Sequence, residues 1–192
     1  FDEHGRALPG WDAIRDFDPK NPPIKELDKY IESLYEYEET PEVEDFMKLL
    51  MIHGNLISNP EFKDGFNNWQ IETSLEERQY TLGKDGVFIS SDANFDYSIS
   101  QTVDIEYTGE YIAAVEYRGT NTTGVEVELF MDVEDESGVH TYTSDIFPAD
   151  VRFVTHLLKP VRLQKNARVT VGLRMHTSPV FAKIKKISLV VI

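Results

Sequence analysis

The chain has 192 residues, 41% of them hydrophobic, with no cysteine and a formal net charge of -15. That length holds one ordinary domain with an appendage, and the lack of cysteine excludes a disulfide framework and a thiolate metal site. So negative a chain repels phosphate backbones, anionic lipid and polyanionic glycans, so neither nucleic acid nor a membrane is expected as a partner, and no stretch approaches the roughly 20 apolar residues that span a bilayer.

The acidity is concentrated at the start: residues 1–54 carry 14 acidic and 6 basic side chains, against 20 and 13 in residues 55–192. Phe1-Asp2-Glu3-His4-Gly5-Arg6-Ala7-Leu8-Pro9 runs into Gly10-Trp11. Its plain reading is a Gly/Pro-punctuated loop before a short helix. It also resembles the last strand-to-helix step of the (β/α)8 barrel in family fifty-three galactanases, and residues 1–18 are therefore expected to be the tail of a barrel lying upstream. Asp18-Pro19 and Pro22-Pro23 break that segment. Ile24, Leu27, Tyr30, Ile31 and Leu34 then recur at helical steps, and Val43, Phe46, Met47 and Leu50 repeat the pattern after Thr40-Pro41, with Gly54 as the stop. Residues 19–54 are read as an acidic helical linker whose apolar stripe docks on the sandwich, on the barrel or on a second copy.

From Asn55 the period changes to two. Asn55–Phe62 reads as an opening strand, and Tyr97–Val103, Tyr111–Tyr117, Phe153–Leu158, Val169–Met175 and Ile184–Ile192 as later ones. Val125–Val133 alternates most cleanly, apolar at odd and mostly charged at even positions, so one face is buried and one is wet. Turn signals separate them at Gly83–Gly86, Thr108-Gly109, Gly119–Asn121 and Glu136–Gly138. Short strands at regular spacing without helical periods between them predict a mainly β, antiparallel β-sandwich over residues 55–192.

Asn55-Leu56-Ile57-Ser58-Asn59-Pro60, then Gly65-Phe66-Asn67-Asn68-Trp69, Ser98-Ile99-Ser100-Gln101-Thr102-Val103, Gly109-Glu110-Tyr111 and Ile187-Ser188-Leu189 follow the order found in galactose-binding-like jelly rolls. The chain resembles the carbohydrate-binding modules of that fold and, with the barrel-like tail, those that bind β-1,4-galactan beside a galactanase. The resemblance implies a jelly roll and a neutral-polysaccharide ligand. It also implies a structural calcium between the opening segment and the last strand. The corresponding positions here are Lys63 and Lys185, and two ammonium groups oppose a cation that needs several oxygen ligands. No cofactor is therefore expected to be required, with Glu61, Asp64 and backbone carbonyls as the donors left to hold an ion.

Neutral sugars are held by flat aromatic rings against their C–H faces and by fixed polar groups on their hydroxyls. The candidates are Arg78 and Tyr80; Asp92, Asn94 and Phe95 in the segment Ser91–Tyr97; Phe130, an aromatic on a charged strand face; and Arg174 with His176 on the polar face of their strand. Each has a plainer alternative. The 91–97 segment also reads as an Asx-rich turn with Phe95 plugging the core edge. Arg174 also reads as a surface ion pair with Glu116 or Glu128, and Phe130 as a contact for the helical linker. Trp69 is read as core, and Tyr142 and Phe147 remain open.

A catalytic site is hard to build from this chain. No carboxylate pair has a spacing that marks a glycosidase, and His4, His53, His140, His156 and His176 show no metal-ligand or nucleophile pattern. The expectation is a non-catalytic, monomeric module that binds β-1,4-galactan or galacto-oligosaccharides and targets an attached bacterial, extracellular or cell-surface arabinogalactan endo-β-1,4-galactanase. The rival expectations are the same fold on β-glucan or xylan, a structural module packed on the catalytic domain, and a sandwich enzyme such as a lyase.

Overall fold

A computed structural model describes residues 40–119, 126–146, 152–177 and 180–192, without the side chains of Arg78, Glu126, Thr177 and Val180. The expected barrel tail, the helix over Ile24–Leu34 and Phe147 lie outside the described residues. The chain divides at Thr40 into two compact units, and the second is the sandwich.

Among the described residues the elements are one helix, α1 (Pro41–His53), eleven strands and a single 3-10 turn (Glu77–Gln79). The strands are β1 (Gln70–Thr73), β2 (Tyr80–Gly83), β3 (Gly86–Ser91), β4 (Phe95–Asp104), β5 (Gly109–Gly119), β6 (Glu126–Asp135), β7 (Gly138–Asp145), β8 (Val154–Leu157), β9 (Val161–Leu163), β10 (Arg168–Thr177) and β11 (Val180–Val191). They form two antiparallel sheets: one of order β1-β4-β10-β6-β7, the other of order β2-β3-β11-β5-β8 with β9 added on β5. Among the described residues no helix is long and apolar enough to cross a membrane.

Alternation builds the core. Ile99, Leu129, Met131, Val169, Val171 and Leu173 line the inner face of the first sheet, and Val87, Ile89, Ala113, Val115, Ala182, Ile184, Ile187 and Leu189 that of the second, all fully buried. Strict period two would send Ile184 and Ile187 to opposite faces. The register along β5 shifts between Ile184 and Lys186, so Lys185 is the extra residue of a bulge and both isoleucines enter the core. Gly86 at the start of β3 makes room for this bulge. A Cβ there would lie 2.1 Å from the Ile184 carbonyl oxygen, and its φ of +103° suits only glycine.

The helix predicted after Pro41 is present. Val43 and Phe46 are buried on it, and Phe46 with Met47 and Leu50 packs on Ala114, Ile112, Leu157 and Val190. Those residues lie on the outer face of the second sheet. Gly54 ends the helix in the left-handed region, φ +76°, with its N–H donating to the Leu50 carbonyl at 3.0 Å. The described part of the linker thus covers the second sheet and leaves the outer face of the first sheet to other uses.

One expected element is absent. Asn55–Phe62 forms no strand; the first is Gln70–Thr73. The reason is local. Asn55 uses its own amide in place of a ladder: Oδ1 accepts from the N–H groups of Ile57 and Leu189, both at 3.0 Å, and Nδ2 donates to Ser188 Oγ at 3.1 Å. Two isolated backbone bonds, Leu56 N–H to Leu189 O at 2.9 Å and Ile187 N–H to Pro60 O at 3.1 Å, join this segment to β11. Short strands β1, β2, β3, β7 and β9 add to those read from the pattern.

Candidate functional site

Even-numbered residues of β10 face outward because Val169, Val171, Leu173 and Met175 face in. Antiparallel register then aligns outward residues across the sheet. Glu72, Ser98, Arg174, Glu128 and Asp145 form one transverse row. The next row is Gln70, Ser100, Gly172, Phe130 and Thr143.

Arg174 is the centre of this face. Its Nε donates to Glu128 Oε2 at 2.7 Å, and its guanidinium carbon lies 5.0 Å from the centre of the Phe130 ring. The two terminal amino groups take no acceptor among the described residues, while the side chain stays 42% exposed. A planar cation held flat by a ring on one side and a carboxylate on another is a pre-set donor. Phe130 itself is 5% exposed and faces Gly172 across the strand pair. Gly172 is required by packing, since a Cβ there would stand 2.3 Å from the Ile99 carbonyl oxygen.

Beside Arg174 the surface opens into a cleft of about 450 Å³ lined by Glu72, Asp96, Ser98, Glu128, Arg174 and His176, among others. His176 Nδ1 meets Asp96 Oδ1 at its rim. The Asp96 backbone is pinned to the end of β1, its carbonyl accepting from Thr73 Oγ1 at 2.8 Å and its N–H donating to Ser74 Oγ at 2.9 Å. The cleft thus presents fixed donors and acceptors with an aromatic ring beneath the cation.

Of the residues expected at a sugar surface, the structure brings together Arg174, His176 and Phe130. Arg174 also forms the ion pair expected of it, with Glu128; Glu116 pairs with Lys185 instead, at 2.7 Å. The platform role expected of Phe130 needs correction, because an almost fully buried ring cannot lie against a sugar; it supports Arg174 from below. The described helix is on the other sheet, so it does not cover Phe130. Phe95 is likewise a core residue, 4% exposed, because it shares the inward phase of Tyr97 and Ile99. Tyr80 belongs to β2 in the opposite sheet, its ring 6.1 Å from Phe66 and 5.7 Å from Tyr97. Asp92 and Asn94 are exposed on the β3–β4 turn, away from the cleft lining. That turn is closed by Ser91, whose Oγ donates to the Ala93 carbonyl at 3.0 Å. Arg78 has its backbone in the 3-10 turn, and its side chain lies outside the described residues.

Sequence reasoning missed Glu72 and Ser98, and it did not single out Asp96 within the segment Ser91–Tyr97. Ser98 was readable from its place between inward Tyr97 and Ile99. Glu72 was not, because β1 is too short to show a period.

Glu72 and Glu128, the two glutamates of the row, lie three strand spacings apart, about 14 Å between backbones.

The calcium position implied by the jelly-roll resemblance does not fit the donors present. Glu61 is engaged by two ammonium groups, Lys63 Nζ at 2.5 Å and Lys186 Nζ at 3.7 Å, and the Lys63 hydrogen bond is the main cause that holds its carboxyl below the usual range. The second lysine is Lys186, not Lys185, because the bulge turns Lys185 to Glu116. Asn59 fills the loop's centre: Nδ2 donates to the carbonyls of Gly65 at 2.9 Å and Asn67 at 3.2 Å, and Oδ1 accepts from Asp64 N–H at 3.0 Å. Carbonyls that a cation would take are held by an amide. Trp69 closes the loop as core, 8% exposed, with Nε1 donating to the Asn59 carbonyl at 3.0 Å.

No family model matches the chain, and no curated protein matches it. Solved structures do. A module described as TmCBM61 in complex with β-1,4-galactotriose superposes with a TM-score of 0.58 at 16% identity, covering 72% of this chain and 99% of that one. A family 16 carbohydrate-binding module gives 0.52 at 15% identity, covering 71% and 99%. The enzymatically active domain of tailspike protein 4 from bacteriophage CBA120 gives 0.55 at 15%, covering 72% of this chain but only 21% of that one. At such identities the likeness is one of fold, and the fold is the two-sheet jelly-roll sandwich of carbohydrate-binding modules.

Proposed function

We propose that the chain is a non-catalytic carbohydrate-binding module whose ligand lies on the outer face of the β1-β4-β10-β6-β7 sheet. The observation that carries this reading is Arg174, clamped by Glu128 and Phe130 beside an open polar cleft. Its free amino groups, the Asp96–His176 pair, Ser98 and Glu72 supply both donors and acceptors for the hydroxyls of a neutral sugar. The ligand favoured is β-1,4-galactan. A module in complex with β-1,4-galactotriose shares the fold, and galactose's axial hydroxyl is a group that a pre-set fork of donors can select, since a site built around one hydroxyl penalises a sugar that points it elsewhere.

In this reading the module belongs to a secreted galactanase and holds it on its polymer, raising the local substrate concentration. Calorimetric titration with β-1,4-galacto-oligosaccharides, cello-oligosaccharides and xylo-oligosaccharides tests it. Saturable heat with the galactan series alone is expected. Preference for another series would replace the ligand, and no heat with any would overturn the reading.

A further inference from the structure

The end of the sandwich remote from Arg174 carries a second feature with no structural task. Tyr107, on the loop between β4 and β5, is 72% exposed, yet its loop is tightly held. Ile105 N–H donates to the Ala167 carbonyl at 2.9 Å and Asn166 N–H to the Ile105 carbonyl at 2.7 Å. Lys165 N–H donates to Thr108 Oγ1 at 3.0 Å, and the Tyr111 hydroxyl to the Tyr107 carbonyl at 2.6 Å. Ile105 anchors the loop in the core at 2% exposure.

Beside the ring is an open cleft of about 520 Å³ lined by Asp104, Ile105, Glu106, Tyr107, Lys165 and Asn166. Among the described residues neither the Tyr107 hydroxyl nor the Lys165 ammonium has a protein partner. Keeping an aromatic ring in water on a loop pinned by four hydrogen bonds forgoes its burial energy and leaves it ordered, so little further entropy is lost when a ligand stacks on it.

We infer that Tyr107, with Lys165, Asn166 and Glu106, forms a second contact for the same class of neutral polysaccharide, resting on the function proposed above. The ring would cover a pyranose C–H face, while the amide, ammonium and carboxylate meet its hydroxyls. From Ser98, beside Arg174, to Asp104 the strand β4 advances about 20 Å. The two contacts are therefore separate sites for a short oligosaccharide and are linked on a polymer, where joint engagement multiplies affinity.

The test compares the wild-type chain with Arg174→Ala, Tyr107→Ala and Tyr107→Phe by calorimetry with β-1,4-galactotriose and by retardation in gels containing soluble galactan. The inference expects two equivalents of trisaccharide for wild type and one for Tyr107→Ala. Polymer retention should weaken roughly a hundredfold in that variant and be kept by Tyr107→Phe, with an unchanged thermal midpoint. A single equivalent in wild type together with unaltered gel retention of Tyr107→Ala would overturn it while leaving the Arg174 site standing. Loss of all binding in Tyr107→Ala but none in Arg174→Ala would support the Tyr107 contact and remove the Arg174 site. If wild type binds none of the oligosaccharides in the three-series panel, both ideas fail together.

Discussion

The guanidinium of Arg174 lies over the ring of Phe130, 5.0 Å from its centre, with Nε bonded to Glu128 at 2.7 Å. Two neighbours on the adjacent strand β6 thereby fix one long side chain, and the rotamer entropy that a free arginine would lose on binding is already spent. Three consequences can be measured. Arg174→Ala should weaken galacto-oligosaccharide binding about 10- to 100-fold, the range expected for hydrogen bonds from a charged donor. Arg174→Lys should recover little, because a point charge cannot reproduce the fork. Phe130→Ala should reduce both affinity and stability, since it removes a buried ring. Equal affinity in Arg174→Ala and wild type would place the ligand elsewhere.

The loop around Asn59 should be indifferent to metal. Thermal midpoints in calcium and in chelator should coincide, because Lys63 and Lys186 already neutralise Glu61 and the Asn59 amide already takes the Gly65 and Asn67 carbonyls. Asn59→Ala should destabilise by about 2–3 kcal/mol through the partners it leaves unpaired. A rise of several degrees with calcium would show that the loop rearranges to bind it.

His156 predicts a stability loss on mild acidification. Its ring is half-buried near Tyr117, centroids 6.5 Å apart, and its buried Nε2 has no hydrogen-bond partner among the described residues. Burial lowers its folded pKa below the ordinary 6.5. The unfolded chain therefore binds this proton first. The stabilisation is fully present above pH 6.5 and declines as pH falls below 6.5 toward the lower folded value. Urea midpoints measured at about pH 7.5, 6.5 and 5.5 should fall for wild type and stay flatter for His156→Leu. Parallel slopes for the two would assign the loss to other groups.

Two glycines with positive φ should respond differently to alanine. Gly138, φ +123°, has open space within 4 Å of the point where a Cβ would stand, whereas a Cβ on Gly86 would meet the Ile184 carbonyl at 2.1 Å. Gly138→Ala should cost about 1–2 kcal/mol from backbone strain alone. Gly86→Ala should cost about 3 kcal/mol or more, since the β11 bulge must also move. Urea unfolding of both variants gives the comparison, and equal losses would mean that the bulge yields easily.

Much of this could be read from the residue order. Alternation along residues 97–103, 111–117, 125–133 and 169–175 placed the long central strands, because a face buried against another sheet must be apolar at every second position. The helical period after Pro41 marked α1 for the same reason. Asn55 misled: its flanking Leu and Ile suggest a strand, but its amide replaces the ladder. Phe95 and Tyr80 misled too, since an aromatic beside polar residues looks alike in a core edge and in a binding surface.

The amino-acid order by itself determined the sandwich, the polar face of β10 and the candidacy of Arg174 and His176, because these depend on period and side-chain chemistry along one strand. Only the tertiary structure decided that Glu72, Ser98, Glu128 and Arg174 share a row, that Phe130 lies beneath the cation and that Lys186 replaces Lys185 at Glu61. Strand order and register are set by packing between segments far apart in the chain, and the one-residue bulge in β11 reverses which lysine reaches which carboxylate.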